Sequence, residues 1–241
     1  LVSDTDAYRV YLEEDDSSAK TASVAVVENG SLKSECFVNA GLTHSRTLMP
    51  MIDNALSQAE MTISEIDAFC VNSGPGSFTG IRIGVAAVKG LAMCDNKPCC
   101  GVSTLESAAY NFFDENCIIC VSMDARCNQV YTALFKAENG VVERLCEDKA
   151  VSVNDLYEEL SSYNDKIILA GDGAEICYKA FSDKLGNIVL AGENRRYQRA
   201  FGTALAAEKN NNFTDSALLA PVYLRLPQAE RELRIRKGES I

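Results

Sequence analysis

Four places in this 241-residue chain carry residue types and spacings that can do chemistry. The first is the run Gly74-Pro75-Gly76-Ser77-Phe78-Thr79-Gly80, set in front of an apolar, helix-like segment. Chained glycines with Ser77 and Thr79 at a helix start leave backbone N–H groups free to hold an anion, and the same residues also suit a tight packed turn. No Lys-Ser or Lys-Thr follows Gly80, so the run is not a Walker A loop. Thr79 replaces the third glycine of a dinucleotide fingerprint, and Pro75 breaks the Gly-x-Ser-x-Gly pattern of a nucleophile elbow. The other three places are polar turns: Asp16-Ser17-Ser18, Asp124-Ala125-Arg126 and Gly171-Asp172-Gly173. A strand-ending Asp can hold Mg²⁺ through water, and a Gly-x-Gly turn lets adenine lie against backbone. Ordinary turns use the same residues. Asp16, Gly76, Ser77, Asp124, Gly171 and Gly173 are the candidate nucleotide or anion contacts.

Histidine and cysteine narrow the chemistry further. His44 is the only histidine, so a His-Glu-x-x-His zinc site cannot be built. No nucleophile signature accompanies it for a Ser or Cys hydrolase, which leaves a helix-start or interface role. Most of the ten cysteines lie inside apolar runs, where a thiol behaves as a small buried hydrophobe. Cys117-x-x-Cys120 has metal-like spacing, yet no second pair follows, and residues three apart on a strand face opposite ways. Structural, reduced thiols are the leading reading, and they favour a reducing, cytoplasmic compartment.

Local signals set out the elements that must position these groups. Strands are expected over 21–27 and 32–38, joined by the Asn29-Gly30 turn, then a helix over 45–59 and a strand over 68–72. A helix over 81–93 and a strand over 99–102 complete this half, and Ser103 or Thr104 can cap a further helix. The second half repeats the theme. Strands are expected over 117–123, 129–136, 141–146, 166–170 and 188–190, with helices over 153–160, from 174 and over 203–210. Duplicated α/β lobes, residues 1–104 and 105–241, are the architecture this repetition predicts. The helix over 81–93 is unusual, because Ile81, Ile83, Val85, Val88 and Leu91 make it apolar almost all round. Gly80, Gly84, Ala87 and the nearby Ala86 give it a small-residue flank that admits a close neighbour: the preceding helix, another subunit, or both.

Bulk composition sets the outer limits. At 47% hydrophobic and 24% charged the chain is too apolar for disorder. No apolar run approaches the roughly 18–20 residues of a membrane helix. With 34 acids against 23 bases the formal charge is −11, a field that repels nucleic acid. The basic cluster Arg225, Arg231, Arg234, Arg236 and Lys237 is diluted by Glu230, Glu232 and Glu239.

Taken together, several of these residues resemble a known family. They are His44-Ser45-Arg46 through Pro50, the run from Ser73 to Gly84, Lys89-Gly90-Leu91-Ala92, Gly101-Val102-Ser103-Thr104-Leu105-Glu106, Met123-Asp124-Ala125-Arg126 and Pro221-Val222-Tyr223-Leu224-Arg225. The family is TsaB, also called YeaZ, and the resemblance spans about residues 18–225. It implies an α/β, actin/Hsp70-like (ASKHA) fold of duplicated lobes, each a mixed sheet with flanking helices. It implies membership of the assembly that installs threonylcarbamoyl on the adenosine beside the anticodon of ANN-reading tRNAs.

The role so implied is a non-catalytic dimerisation subunit, with no cofactor of its own and no membrane attachment. It would pair with a TsaD-type subunit through the helices near 44–59 and 80–93. The implied contacts are His44, Ser45, Leu48, Met49, Ile52, Gly80, Ile83, Gly84, Ala87 and Val88. A TsaE-type ATPase would dock on the pair, and a homodimer would compete with it. ATP and a divalent metal would sit on the partner subunits, and tRNA would be reached only through the complex. The family's historical glycoprotease label does not carry over, for want of a histidine pair. One stretch departs from the pattern. The family opens on an apolar strand ending in Asp-Thr-Ser, where this chain has Glu13, Glu14 and Asp15. Unpaired carboxylates buried there would cost several kcal/mol, so that register is implausible for a core strand, and residues 7–12 could supply a substitute. The alternative reading, from Asp16, Asp124 and Gly171–Gly173, is a stand-alone ATPase or small-molecule kinase of the same superfamily.

Overall fold

The computed structural model describes residues 8–14, 21–39, 44–225 and 236–237. The first half runs β1 (Tyr8–Glu14), β2 (Thr21–Glu28), β3 (Ser31–Asn39), α1 (His44–Gln58), β4 (Ala68–Gly74), α2 (Phe78–Met93) and β5 (Cys99–Ser103). These strands form one sheet in the order β3-β2-β1-β4-β5. The β1–β2 and β2–β3 pairs are antiparallel, and the β1–β4 and β4–β5 pairs are parallel. Asn29 and Gly30, with φ of +48° and +77°, make the two-residue turn that sets the β2–β3 hairpin. The first strand is therefore close to the expected 7–12, and Asp16 lies outside the described residues.

The second half contains α3 (Thr104–Ala109), β6 (Cys117–Asp124), β7 (Gln129–Glu138), β8 (Val141–Arg144), β9 (Lys149–Ser152) and α4 (Val153–Leu160). It continues with β10 (Ile167–Ala170), α5 (Ala174–Phe181), β11 (Ile188–Leu190), α6 (Glu193–Arg196) and α7 (Ala200–Asn210). Its sheet is ordered β11-β10-β6-β7-β8, with β9 also on β7. Each sheet thus has a central first strand, an antiparallel meander on one side and two parallel, helix-linked strands on the other. The duplication expected from the element order is present in the topology. The difference is the third strand of the second lobe, which is split into β8 and β9.

Three apolar clusters stack the elements into layers. Outside the first sheet, α1 and α2 supply Leu48, Met51, Ile52, Ala55, Ile81, Val85 and Val88 against Val24, Val26, Phe69 and Val71. Outside the second sheet, α4 and α5 supply Leu156, Leu160, Cys177 and Phe181 against Ile118, Cys120, Ile167 and Leu169. Between the sheets, α3 and the alanine-rich α7 are packed from both sides. This explains why β2 reads as a continuous apolar run: it is covered on both faces.

Ser103 caps α3 by accepting from the Glu106 N–H, so the motif at the lobe junction is a helix start. Gly202 lets α7 cross α3 closely, since a Cβ there would collide with the Ser107 carbonyl oxygen. Although α3 begins at Thr104, α7 and the residues after it return to the first lobe.

All ten cysteines are free thiols, six of them buried. Burial pushes Cys99 up to about 11 and Cys177 up to about 12. Cys117 belongs to the central cluster and Cys120 to the outer one, on opposite faces of β6. Among the described residues no helix is long and apolar enough to cross a membrane.

Candidate functional site

Helices α1 and α2 lie beside each other on the outer face of the first sheet. Leu48 and Ile52 of α1 and Val88 of α2 are buried in that sheet's own core, so they present no surface to a partner. This corrects their assignment as contacts. The helical stripe that marks them in the sequence is the one the sheet claims. Gly80 and Gly84 are buried within the chain as well. Met49 is exposed, while Ile83 and Ala87 are half-buried at the cluster's edge. His44 and Ser45 open α1, and their side chains lie outside the described part of the structure.

The open face of α2 includes Ala86 of the expected flank and two residues not expected to serve it, Gly90 and Met93. Ala86, Gly90 and Met93 are exposed, Met93 with 72% of its surface free. Their i, i+4, i+7 spacing is a helical stripe of its own beside Ile83 and Ala87. A Cβ added at Gly90 would meet nothing within 4 Å, so among the described residues none covers this position.

The glycine-rich loop in front of α2 is occupied by the chain itself. The Ser77 hydroxyl accepts from the Thr79 and Gly80 N–H groups at 3.2 and 3.3 Å, capping the helix with donors that an anion would need. Gly74 has φ +124°, and a side chain there would collide with the Val222 carbonyl oxygen. The Val222 N–H donates to the Ser73 carbonyl at 2.7 Å. Phe78 stacks on Tyr223 with ring centroids 4.5 Å apart. The Arg82 guanidinium sits 3.8 Å from the Phe78 ring centroid, and its Nε donates to the Tyr223 hydroxyl at 2.9 Å. Of the two readings of the loop, packing is the one these contacts fill. Gly76 is half-buried in the same turn.

In the second lobe the structure brings Asp124, Gly171 and Gly173 together. The Asp124 N–H donates to Asp172 Oδ1 at 3.0 Å, and Asp124 Oδ1 accepts from the Arg126 N–H at 2.7 Å. The Gly173 N–H donates to the Ser122 carbonyl at 2.9 Å. A Cβ on Gly171 would strike the Ser122 carbonyl, and one on Gly173 would crowd the Met123–Asp124 backbone. The backbone that approaches this Gly-x-Gly turn is therefore the end of β6. Arg225 links the two lobes' turns, donating to the Ala125 carbonyl at 2.9 Å. Among the described residues, no three His, Cys, Asp or Glu side chains gather into a metal-holding group.

Asp172 is the perturbed acid of this cluster. Burial pushes its carboxyl up to about 6 and the Asp124 charge adds to this, against the lowering effect of the Asp124 and Gly173 N–H groups. A carboxyl raised in the fold contributes stability that is full below about pH 4 and lost as pH rises through about 6. Asp172→Asn removes the charge and keeps an acceptor. Its melting temperature is expected to exceed that of the wild type at pH 8, by the equivalent of about 1–3 kcal/mol, and to fall to parity near pH 4. A gap independent of pH would contradict this account.

Known proteins resemble this chain in sequence and in fold. A family model described as TsaD, tRNA N6-adenosine threonylcarbamoyltransferase, matches residues 39–233. The tRNA threonylcarbamoyladenosine biosynthesis protein TsaB of Bacillus subtilis is 30% identical over 215 residues, 89% of this chain and 94% of that protein. The solved structure of YeaZ from Pseudomonas aeruginosa is similar with a TM-score of 0.74 at 21% identity, covering 90% of this chain and all of that one. The component A of (R)-2-hydroxyglutaryl-CoA dehydratase from Acidaminococcus fermentans shares the fold more distantly. Its TM-score is 0.51 at 12% identity, over 86% of this chain and all of that one.

Proposed function

Because this chain belongs to the TsaB family of tRNA threonylcarbamoyladenosine biosynthesis proteins, we propose that it is the non-catalytic pairing subunit of the threonylcarbamoyl transferase. Its partner is a TsaD-type subunit, which it activates by docking the outer faces of α1 and α2. The observation that carries this reading is the unoccupied stripe of Ala86, Gly90 and Met93, next to Ile83 and Ala87, with Met49 exposed on the neighbouring helix. Small residues let a second helix approach closely, and exposed methionines supply adaptable apolar contact.

The chain's other resources support the same division of labour. Its glycine loop and its Gly171–Gly173 turn are packed against its own backbone, and it has a single histidine. A net charge of −11 disfavours solitary tRNA binding. Metal, ATP and RNA contacts then fall to the TsaD-type subunit and a TsaE-type ATPase docked on the pair, all in the cytoplasm. A homodimer through the same helices would compete for the face.

The test is reconstitution. The purified chain, mixed with the TsaD-type subunit of the same organism, is expected to give a one-to-one complex by light scattering. The modification of tRNA is expected to require both proteins. Modification at full rate without this chain, or no complex, would overturn the proposal. Under the stand-alone kinase alternative, ATP–Mg²⁺ raises the melting temperature of the isolated chain, because a ligand of the folded state must stabilise it. Under the pairing reading the temperature stays put.

A further inference from the structure

After α7 the chain turns at Asn211, which has φ +48°, and runs back antiparallel along α2. Thr214 and Cys99 exchange both backbone hydrogen bonds at 2.8 Å, a single bridge at the start of the edge strand β5. Lys89, near the C-terminal end of α2, donates to the carbonyls of Ala217 and Leu219. Val222 is bonded to Ser73, Tyr223 to Phe78 and Arg82 at the helix's N-terminal end, and Arg225 to Ala125 of the other lobe.

The anchoring is thin. Leu219, at 6% exposed, is the one fully buried side chain between 211 and 225, while Leu218 is 73% exposed. A segment held by a few exposed or half-buried hydrogen bonds, a ring stack, the half-buried Phe213 and one apolar plug opens at a lower free energy than the core beside it. The central core of α3, α7 and both sheets draws only the half-buried Phe213 from this segment, and the outer core only Leu219, so most of each core would survive its release.

We propose that residues 211–225 are a detachable strap whose docking sets the N-terminal turn of α2 for pairing, a regulation of that surface which rests on the pairing reading above. The strap takes one flank of α2, through Phe78, Arg82 and Lys89. The pairing stripe is the next flank round the same helix. When the strap leaves, Arg82 loses the Tyr223 hydroxyl, Phe78 loses its stacking partner and the Ser73 carbonyl loses its donor. The turn that presents Ile83 then loosens. Linkage makes the effect reciprocal, so a bound partner holds the strap down.

Amide hydrogen exchange and pairing affinity together test this on the full chain. Tyr223→Ala is expected to speed exchange of the Val222 amide by about tenfold and to weaken pairing by about as much, with β6 and β10 still protected. Tyr223→Phe keeps the stack and should lie close to wild type. Gly74→Ala, buried and out of a partner's reach, should reproduce the loss by pushing Val222 away. Faster exchange with unchanged pairing overturns the proposal, as does unchanged exchange in Tyr223→Ala. If the wild type itself does not pair, the functional reading fails. The strap is then judged on exchange alone: Thr214 and Val222 amides opening no faster than β6 and β10 would overturn it.

Discussion

Gly90→Arg is expected to leave the chain folded, melting at or slightly above the wild type, and to weaken pairing with a TsaD-type subunit about 100-fold or more. The first half follows from the empty space around Gly90. Glycine inside a helix costs about 1 kcal/mol relative to good helix formers, so arginine at this exposed position is favourable to the fold. The second half follows from the small-residue stripe on which Gly90 sits. A partner helix packed there has no room for a guanidinium and would leave it desolvated. A 100-fold loss corresponds to about 2.7 kcal/mol, within reach of one residue at the centre of an interface. Calorimetric titration of the variant with its partner measures the loss, and a thermal melt measures the fold. Wild-type affinity in Gly90→Arg would move the interface off α2. Leu48→Arg or Val88→Arg would make poor substitutes for this test, because both side chains are core and their loss of pairing would report unfolding.

Gly171→Ala is the substitution with the largest expected cost to stability. Gly171 has φ +90°, and an added Cβ would collide with the carbonyl oxygen of Ser122. Backbone on both sides of the collision is held: the Gly171 N–H donates to the Arg196 carbonyl at 2.7 Å, and Ser122 belongs to β6 at the centre of its sheet. Neither can retreat without breaking hydrogen bonds. A loss of more than about 3 kcal/mol follows, or a fall of roughly 10 °C in melting temperature for a chain of this size. Gly186→Ala is the matched control, because nothing lies within 4 Å of its added Cβ. If the two variants melt together, the turn does not abut β6 as described.

Much of the architecture was legible because its signals are local. Asn29-Gly30 and Asn139-Gly140 each supply the two positive-φ residues a tight hairpin needs, and both hairpins form. Ser77 and Ser103 were readable as helix starts, and both cap the helices that follow. The helix expected over 81–93 begins three residues earlier, since Ser77 is itself the cap and Phe78 the first helical residue. Short α6 and the split of β8 from β9 carried no comparable signal. Neither has the length to show a period.

The candidate site was legible in kind and less so in detail. That α2 has more than one buried side, and a small-residue flank, follows from its composition. Which residues stay outside does not. Leu48 and Met49 are adjacent and both apolar, yet the sheet takes the first and leaves the second exposed. The choice depends on where β2 and β4 lie beneath α1 and α2, which is a tertiary fact.

By itself, then, the sequence determined the family, the duplicated strand and helix order and the chemistry this chain lacks. Those properties reside in motifs and periods that span a few neighbouring residues. Tertiary structure decided why Gly74 and Gly171 must be glycine, which face of α2 remains open, and that Val222 and Tyr223 lie across the glycine loop. The partners of Gly74 and Gly171 are the carbonyls of Val222 and Ser122, far away in the chain. Close approach between distant backbones leaves no periodic trace along the sequence, because it exists only once β6 has paired with β10 and the segment after α7 has laid itself along α2.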